Sequence, residues 1–259
     1  MKPRKPSNVP AKVPPRALVR LGCAGWSIAA SNASAFPQNG THLQRYAEVF
    51  NCVEINSSFY RPHRPETYRK WAESVPPAFR FSVKMPKAIT HIAQLRACGR
   101  QTDEFLSQAM SLGKKLGCVL LQLPPSHAYE AAVVTRFFNR IRTIYDGPLA
   151  CEPRHASWFT SKVGRALRKH RVTLVAADPA KVPRAAVPGG DHAFEYARLH
   201  GSPRMYYDAY PSAAIDRIAR RLLRDNTATH ERWVIFDNTA LGYATSDALA
   251  VVERLSRLG

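Results

Sequence analysis

Acids and bases recur at one kind of place in this 259-residue chain, the ends of short apolar runs. Glu54 and Asn56 close one run, Lys84 another and Gln122 a third. Glu152, with Arg154 just after it, Asp178, the pair Arg198 and His200, and Asp237 close the rest. General acid–base chemistry needs two titratable groups within reach of each other, and Glu54, Glu152, Asp178, His200 and Asp237 are the catalytic candidates, as for a hydrolase or lyase. Lys84, Arg154, Arg198 and Arg204 are of the type that clamps phosphate or carboxylate. The turn Gly201-Ser202 follows the seventh run, where barrel folds often hold phosphate. The substrate-binding candidates are therefore Trp26, Asn56, Tyr60, Lys84, His91, Gln122, Arg154, His155, Arg198, Gly201 and Asn238. A divalent metal has ligand types available in His91, His155, His200, Glu152, Asp178 and Asp237. No H-x-H or H-E-x-x-H spacing fixes such a site, and no motif requires a cofactor. Nucleophilic catalysis has no G-x-S-x-G to support it, and Ser57 and Ser58 read as turn residues.

The elements that must position these groups follow from periodicity. Eight short runs rich in Val, Ile, Leu and Phe read as buried parallel strands: Leu18–Gly25, Cys52–Asn56, Phe79–Lys84, Gly117–Leu123, Leu149–Glu152, Val172–Asp178, Glu195–His200 and Arg232–Asp237. Between them lie stripes of helical period, such as Leu43, Tyr46, Ala47 and Phe50 behind a Thr41 cap, or Tyr68, Trp71, Ala72 and Val75 behind Pro65. Phe159, Val163 and Leu167 predict the fifth helix, and Ser246 predicts the cap of the last. The sixth connection, Pro179–Ala193, has no helical pattern. This alternation predicts a single-domain α/β fold, a (β/α)8 TIM barrel over residues 18–259. The competing open doubly wound sheet usually carries G-x-G-x-x-G after its first strand, whereas Gly22-Cys23-Ala24-Gly25-Trp26 does not match it. Residues i and i+2 of a strand share a face. With Val53 and Ile55 turned to the helices, Glu54 and Asn56 face inward. The same parity turns Arg80, Ser82, Lys84, Gln122, Glu152, Asp178, Arg198, His200 and Asp237 inward. Buried charges at that density form either a self-satisfied ion network or a working site.

Composition bounds the partners. The net charge is +19, and residues 1–20 hold six Lys/Arg and no acid. Residues 61–100 hold nine Lys/Arg against Glu66 and Glu73. Such a balance favours an anionic small molecule or nucleic acid. Residues 1–17 hold five prolines among basic and small residues, which predicts a disordered arm. No run approaches a bilayer-spanning length, and the N-terminus has no apolar core of a secretory signal, so a cytoplasmic protein without membrane partners is expected. The five cysteines have no metal-like spacing and read as buried small hydrophobes.

Several motifs together resemble the YecE-like family, a domain of unknown function. They are Cys23-Ala24-Gly25-Trp26-Ser27, Val53-Glu54-Ile55-Asn56-Ser57-Ser58-Phe59-Tyr60, Phe81-Ser82-Val83-Lys84-Met85-Pro86 and Ile89-Thr90-His91. Leu120-Leu121-Gln122-Leu123-Pro124-Pro125, Arg154-His155-Ala156-Ser157-Trp158-Phe159 and Arg198-Leu199-His200-Gly201 complete the set. The resemblance implies a TIM barrel and no established reaction. By fold analogy such barrels are similar to those of endonucleases and sugar isomerases, which keeps nucleic-acid ligands in view. The chain departs from the family pattern in a short first loop (Ile28–Gly40), in Pro153 between Glu152 and Arg154, and in Asp237-Asn238, which adds a carboxylate. The sequence thus leads to two functions: a hydrolase acting on an anionic or phosphate-bearing substrate, and a non-catalytic nucleic-acid-binding protein.

Overall fold

Ten strands and seven α-helices alternate along the computed structural model, which describes residues 19–224 and 230–258. The expected arm, residues 1–17, lies outside the described residues. In chain order the elements are β1 (Val19–Cys23), α1 (His42–Ala47), β2 (Cys52–Ile55), α2 (Pro65–Glu73), β3 (Arg80–Lys84), α3 (Gly99–Ala109), β4 (Leu116–Gln122), α4 (Ala131–Arg142) and β5 (Leu149–Glu152). Then come α5 (Ser161–Lys169), β6 (Val172–Leu174), β7 (Ala176–Asp178), β8 (Gly189–Gly190), β9 (Phe194–Leu199), α6 (Ser212–Arg224), β10 (Glu231–Phe236) and α7 (Tyr243–Leu258).

The strands form two sheets, ordered β1-β10-β9-β7 and β2-β3-β4-β5-β6-β8. Every pairing is parallel except that of the two-residue β8 with β6. The sheets adjoin at two seams. At one, Ala24 bridges Glu54 in parallel sense, and the Gly25 N–H donates to the Glu54 carbonyl at 2.8 Å. At the other, the run Val172–Asp178 serves both sheets, with β6 beside β5 and β7 beside β9. Val175 separates the two halves and donates its N–H to the Cys151 carbonyl.

Alternation along the strands sorts the core into two clusters. Leu21, Val53, Ile55, Phe81, Val83, Val119 and Leu121 pack with the helices. Cys52, Cys118, Leu120, Ala150, Val175, Tyr196, Trp233 and Ile235 pack on the opposite face of the strands. There the Tyr196 and Trp233 rings stack at 5.7 Å with planes 10° apart. All five cysteines are free and buried, as expected.

The helix signals read from the sequence mostly hold. Thr41 caps α1 in a reciprocal box with Gln44, and Pro65 opens α2. The sixth connection is irregular, with one 3-10 turn at Pro183–Ala186. Two details differ. The last helix begins at Tyr243, so Ser246 is not its cap and instead donates to the Tyr243 carbonyl inside the first turn. Phe159 precedes α5, which is capped by Thr160.

Asp178 is a correction. It is exposed rather than inward. Val172 and Leu174 join the helix-facing cluster and Val175 the opposite one. Period-two alternation from Val175 therefore turns Asp178 outward. Among the described residues, no helix is long and apolar enough to cross a membrane.

Candidate functional site: a buried ion cluster beneath a lysine-lined cavity

Four strands deliver the charged residues to one point. The Arg198 guanidinium, fully buried on β9, is the centre. Its Nε and Nη2 donate to the two Glu54 oxygens at 3.0 and 2.7 Å, a two-pronged contact across from β2. Nη1 donates to Glu152 Oε2 at 2.6 Å, and Nη2 also reaches Asp237 Oδ2 at 2.8 Å. The planar fork of arginine suits such shared, two-pronged pairing. The Tyr196 hydroxyl donates to Glu54 Oε2 at 2.9 Å and lies equally close to Ser82 Oγ.

His200 spans the cluster, with Nδ1 3.0 Å from Asp237 Oδ2 and Nε2 2.9 Å from Glu152 Oε1. Arg154 Nη2 lies 2.6 Å from Glu152 Oε1 and donates to the Tyr206 hydroxyl at 3.2 Å. Burial works against ionising Glu152, but Arg198, His200 and Arg154 outweigh it and hold its carboxyl well below the usual range. Asp237 follows the same pattern: burial opposes its charge, and Arg198, His200 and Lys84 keep it ionised. Glu152 and Asp237 are thus paired and charged, and Glu54 is paired with Arg198, as a buried ion network requires.

Above the cluster lies a cavity of about 450 Å³. Its walls include Asn56, Phe59, Lys84, His91, Gln122, Tyr206 and Asp237, with Tyr60, Lys87 and Thr239 toward its mouth. Lys84 ends β3, and the Ser58 hydroxyl donates to its carbonyl at 2.6 Å, tying the strand end to the turn after β2. The Lys84 ammonium is buried and sits 4.3 Å over the centroid of the Phe59 ring. Among the described residues it forms no ion pair; the three carboxylates are taken by arginines and His200. Burial, then repulsion from Arg198, pushes its pKa down to about 8. His91 is lowered too, by burial and then by Lys84. Asn56 Oδ1 is buried without a hydrogen-bond partner.

The remaining candidates do other work. Gly201 has φ +91°, and a Cβ there would meet the Asp208 carbonyl at 2.5 Å. Its N–H donates to the Tyr210 hydroxyl at 3.1 Å, so it is not a free anion donor. The Asn238 amide donates to Asp208 O and Asp247 Oδ2 at 3.0 and 2.7 Å, clamping the turn after β10 to α7. His155 Nδ1 accepts from the Ser157 N–H as a turn cap. Trp26 packs edge-on against Trp71 at 5.0 Å. Arg204 lies over the Tyr207 ring, away from the cluster. Conversely, Tyr196 stands in the site although the sequence does not mark it, and parity with Arg198 could have found it. Tyr206, which the sequence offers as a polar and aromatic group on a neighbouring loop, does line the cavity.

A metal fits this donor set poorly. Glu54, Glu152 and Asp237 converge on the Arg198 guanidinium, which occupies the place an ion would take. No three His, Cys, Asp or Glu residues among those described could hold one together.

Parallel sheets joined by helices around a buried ion cluster define an α/β protein with a polar interior at its strand ends. The model of the family described as "Protein of unknown function DUF72" matches residues 20–258, and the chain belongs to that family. It is 34% identical over 120 residues to the Escherichia coli K12 protein "UPF0759 protein YecE", covering 46% of this chain and 43% of that one. With "UPF0759 protein YunF" of Bacillus subtilis it shares 28% over 149 residues, 55% of this chain and 53% of the relative. The matched stretch thus spans about half the length of these curated relatives. A DUF72 family protein of Thermotoga maritima superposes with TM-score 0.75 at 24% identity, covering 92% of this chain and 99% of that one. D-psicose 3-epimerase from Clostridium cellulolyticum, solved with D-tagatose, superposes with TM-score 0.54 at 10% identity, covering 92% and 98%. At those identities the likeness concerns the fold alone.

Proposed function

We propose that the two sheets form one (β/α)8 barrel and that the cavity over Lys84 binds a small anionic molecule carrying phosphate or carboxylate. The barrel reading rests on the two seams, Ala24–Glu54 and Val172–Asp178. It places the cavity at the carboxyl ends of the strands, where barrel proteins keep their sites.

One observation carries the binding reading: a buried ammonium faces the cavity while every nearby carboxylate is committed elsewhere. A buried ammonium with no carboxylate in direct ion-pair contact is under-satisfied even where Asp237, Glu54 and Glu152 attract it at longer range, and an anionic ligand in the cavity supplies a direct partner. Hydrolysis by two carboxylates is not part of this reading. Glu54 and Glu152 lie in the cluster below, and Asp237 alone of the three lines the cavity. The test is thermal unfolding with inorganic phosphate or 3-phosphoglycerate. A ligand at a hundred times its dissociation constant stabilises by about 2.7 kcal/mol. Wild type should gain this and Lys84→Met should not; equal gains in both, or none in either, would remove the proposal.

Nucleic-acid binding is the second reading, supported by exposed aromatic and cationic side chains on the loops. Tyr60 and Tyr207 are 79% and 43% exposed, Arg204 stacks 4.2 Å over Tyr207, and Lys87 stands at the mouth. Aromatic faces beside cations suit a single strand. Binding of a labelled oligonucleotide should fall steeply with salt and weaken in Tyr207→Ala. Salt-independent binding, or none at low salt, counts against it.

A further inference from the structure

We propose that Lys84 is a nucleophilic amine that forms an imine with an aldehyde or ketone carried by the anionic ligand in the cavity. This rests on the binding reading above and goes beyond it by naming the reactive group of the ligand.

The geometry separates Lys84 from the other interior cations. Arg198 and Arg154 are bound by carboxylates, and Lys115, near the protein's exterior, donates to the Ala72 and Val75 carbonyls. The Lys84 ammonium has the face of Phe59 beside it and the cavity, with Asp237 and His91 on its walls, in front of it, and no direct ion pair among the described residues. A purely structural cation would be satisfied by acceptors, and Lys84 has none in hydrogen-bond contact among the described residues. A buried amine next to another cation is the arrangement that frees the lone pair of a lysine. Arg198 supplies that second cation, and its repulsion together with burial brings the amine to about 8.

The step balances without an oxidant. The neutral amine attacks the carbonyl carbon, a C–N bond forms, and the carbonyl π electrons move to oxygen. A proton passes from nitrogen to that oxygen, giving a carbinolamine. Protonation of the hydroxyl and loss of water break the C–O bond and leave C=N. Two proton carriers line the same cavity. His91 is shifted toward its neutral form, with Nδ1 2.9 Å from Thr90 Oγ1. Tyr206 is held at φ +71°, a conformation non-glycine residues rarely adopt, and burial keeps its hydroxyl protonated. Its oxygen accepts from Arg154, so its proton is available to a ligand.

The experiment uses the full chain with two carbonyl-bearing anions, dihydroxyacetone phosphate and pyruvate, each with sodium borohydride, followed by peptide mass spectrometry. Glycerol 3-phosphate and lactate, which lack the carbonyl, are assayed in parallel by thermal shift. The expected result is a borohydride-dependent adduct on Lys84, in excess of any on exposed lysines, with a yield that climbs as pH rises through 8. Lys84→Arg should lose the adduct, since a guanidinium forms no imine with these carbonyls. A Lys84-dependent thermal shift with no adduct overturns the imine and leaves anion binding standing. Absence of both removes the two together. Adducts spread evenly over surface lysines also overturn the imine.

Discussion

Replacing Lys84 with methionine should make this protein more stable at neutral pH. The ammonium loses about 3 kcal/mol by being held at about 8 instead of the ordinary 10.5, at about 1.4 kcal/mol per tenfold change in proton affinity. The carboxylates' attraction is already contained in that figure. Methionine fills a similar volume but forfeits the contact with Phe59, worth about 1 kcal/mol. The net gain is about 2 kcal/mol, or about 4–8 °C in melting temperature for a domain of this size. The sign with pH is definite. Between 8 and 10.5 the unfolded chain holds a proton on Lys84 that the folded chain has lost, so wild-type stability rises with pH across that window. Urea unfolding of both proteins from pH 7 to 10.5 measures it. The advantage of Lys84→Met should be greatest below pH 8 and should shrink to nothing, or reverse, by pH 10.5. A variant less stable than wild type by an amount independent of pH would refute the reasoning, because Lys84 would then be a structural cation.

Other substitutions probe the cluster and its frame. Arg198→Met strands three buried carboxylates and should cost about 3–5 kcal/mol, seen as loss of folded protein or a collapsed urea midpoint; wild-type stability would be incompatible with the network. Glu152 and Asp237 have lowered folded pKa values, so their stabilisation is present above the usual carboxylate range and lost as pH falls through the folded values. Glu152→Gln should therefore flatten the fall of stability on acidification relative to wild type, by urea unfolding between pH 6 and 3; parallel curves would contradict the shift. Tyr196→Phe should cost about 1–2 kcal/mol by urea unfolding, the loss of one buried hydrogen bond to a carboxylate oxygen that keeps its bond from Arg198 Nε. Gly201→Ala, with φ +91° and the Asp208 carbonyl in its way, should cost at least about 1–3 kcal/mol of stability, measured by thermal melts.

Local pattern settled a large part of the architecture. Period-two alternation in Cys52–Ile55 and Arg80–Lys84 turned Glu54, Ser82 and Lys84 away from the helices, and that is where they stand. Thr41 and Pro65 marked helix starts because capping and proline geometry are properties of a few adjacent residues. The same rule failed at Asp178, where parity had to be counted from the right neighbour and an interrupted strand gave no marker. Gly201 and Asn238 are candidates by loop position rather than parity, and their hydrogen bonds go to Tyr210, Asp208 and Asp247.

The sequence by itself determined most of the side chains that enter the interior, Asp178 excepted, since that depends on spacing within one strand. Only the tertiary structure decided who pairs with whom. Glu54 and Arg198 are 144 residues apart, and the register between strands, set by the whole wound chain, brings them to 2.7 Å. Four acids nearly balancing three cations are compatible with a self-satisfied network, while polar groups at so many strand ends favour a working site. Folding resolved the choice by committing Arg198, Arg154 and His200 to Glu54, Glu152 and Asp237, turning Asp178 to solvent and leaving Lys84 alone before the cavity.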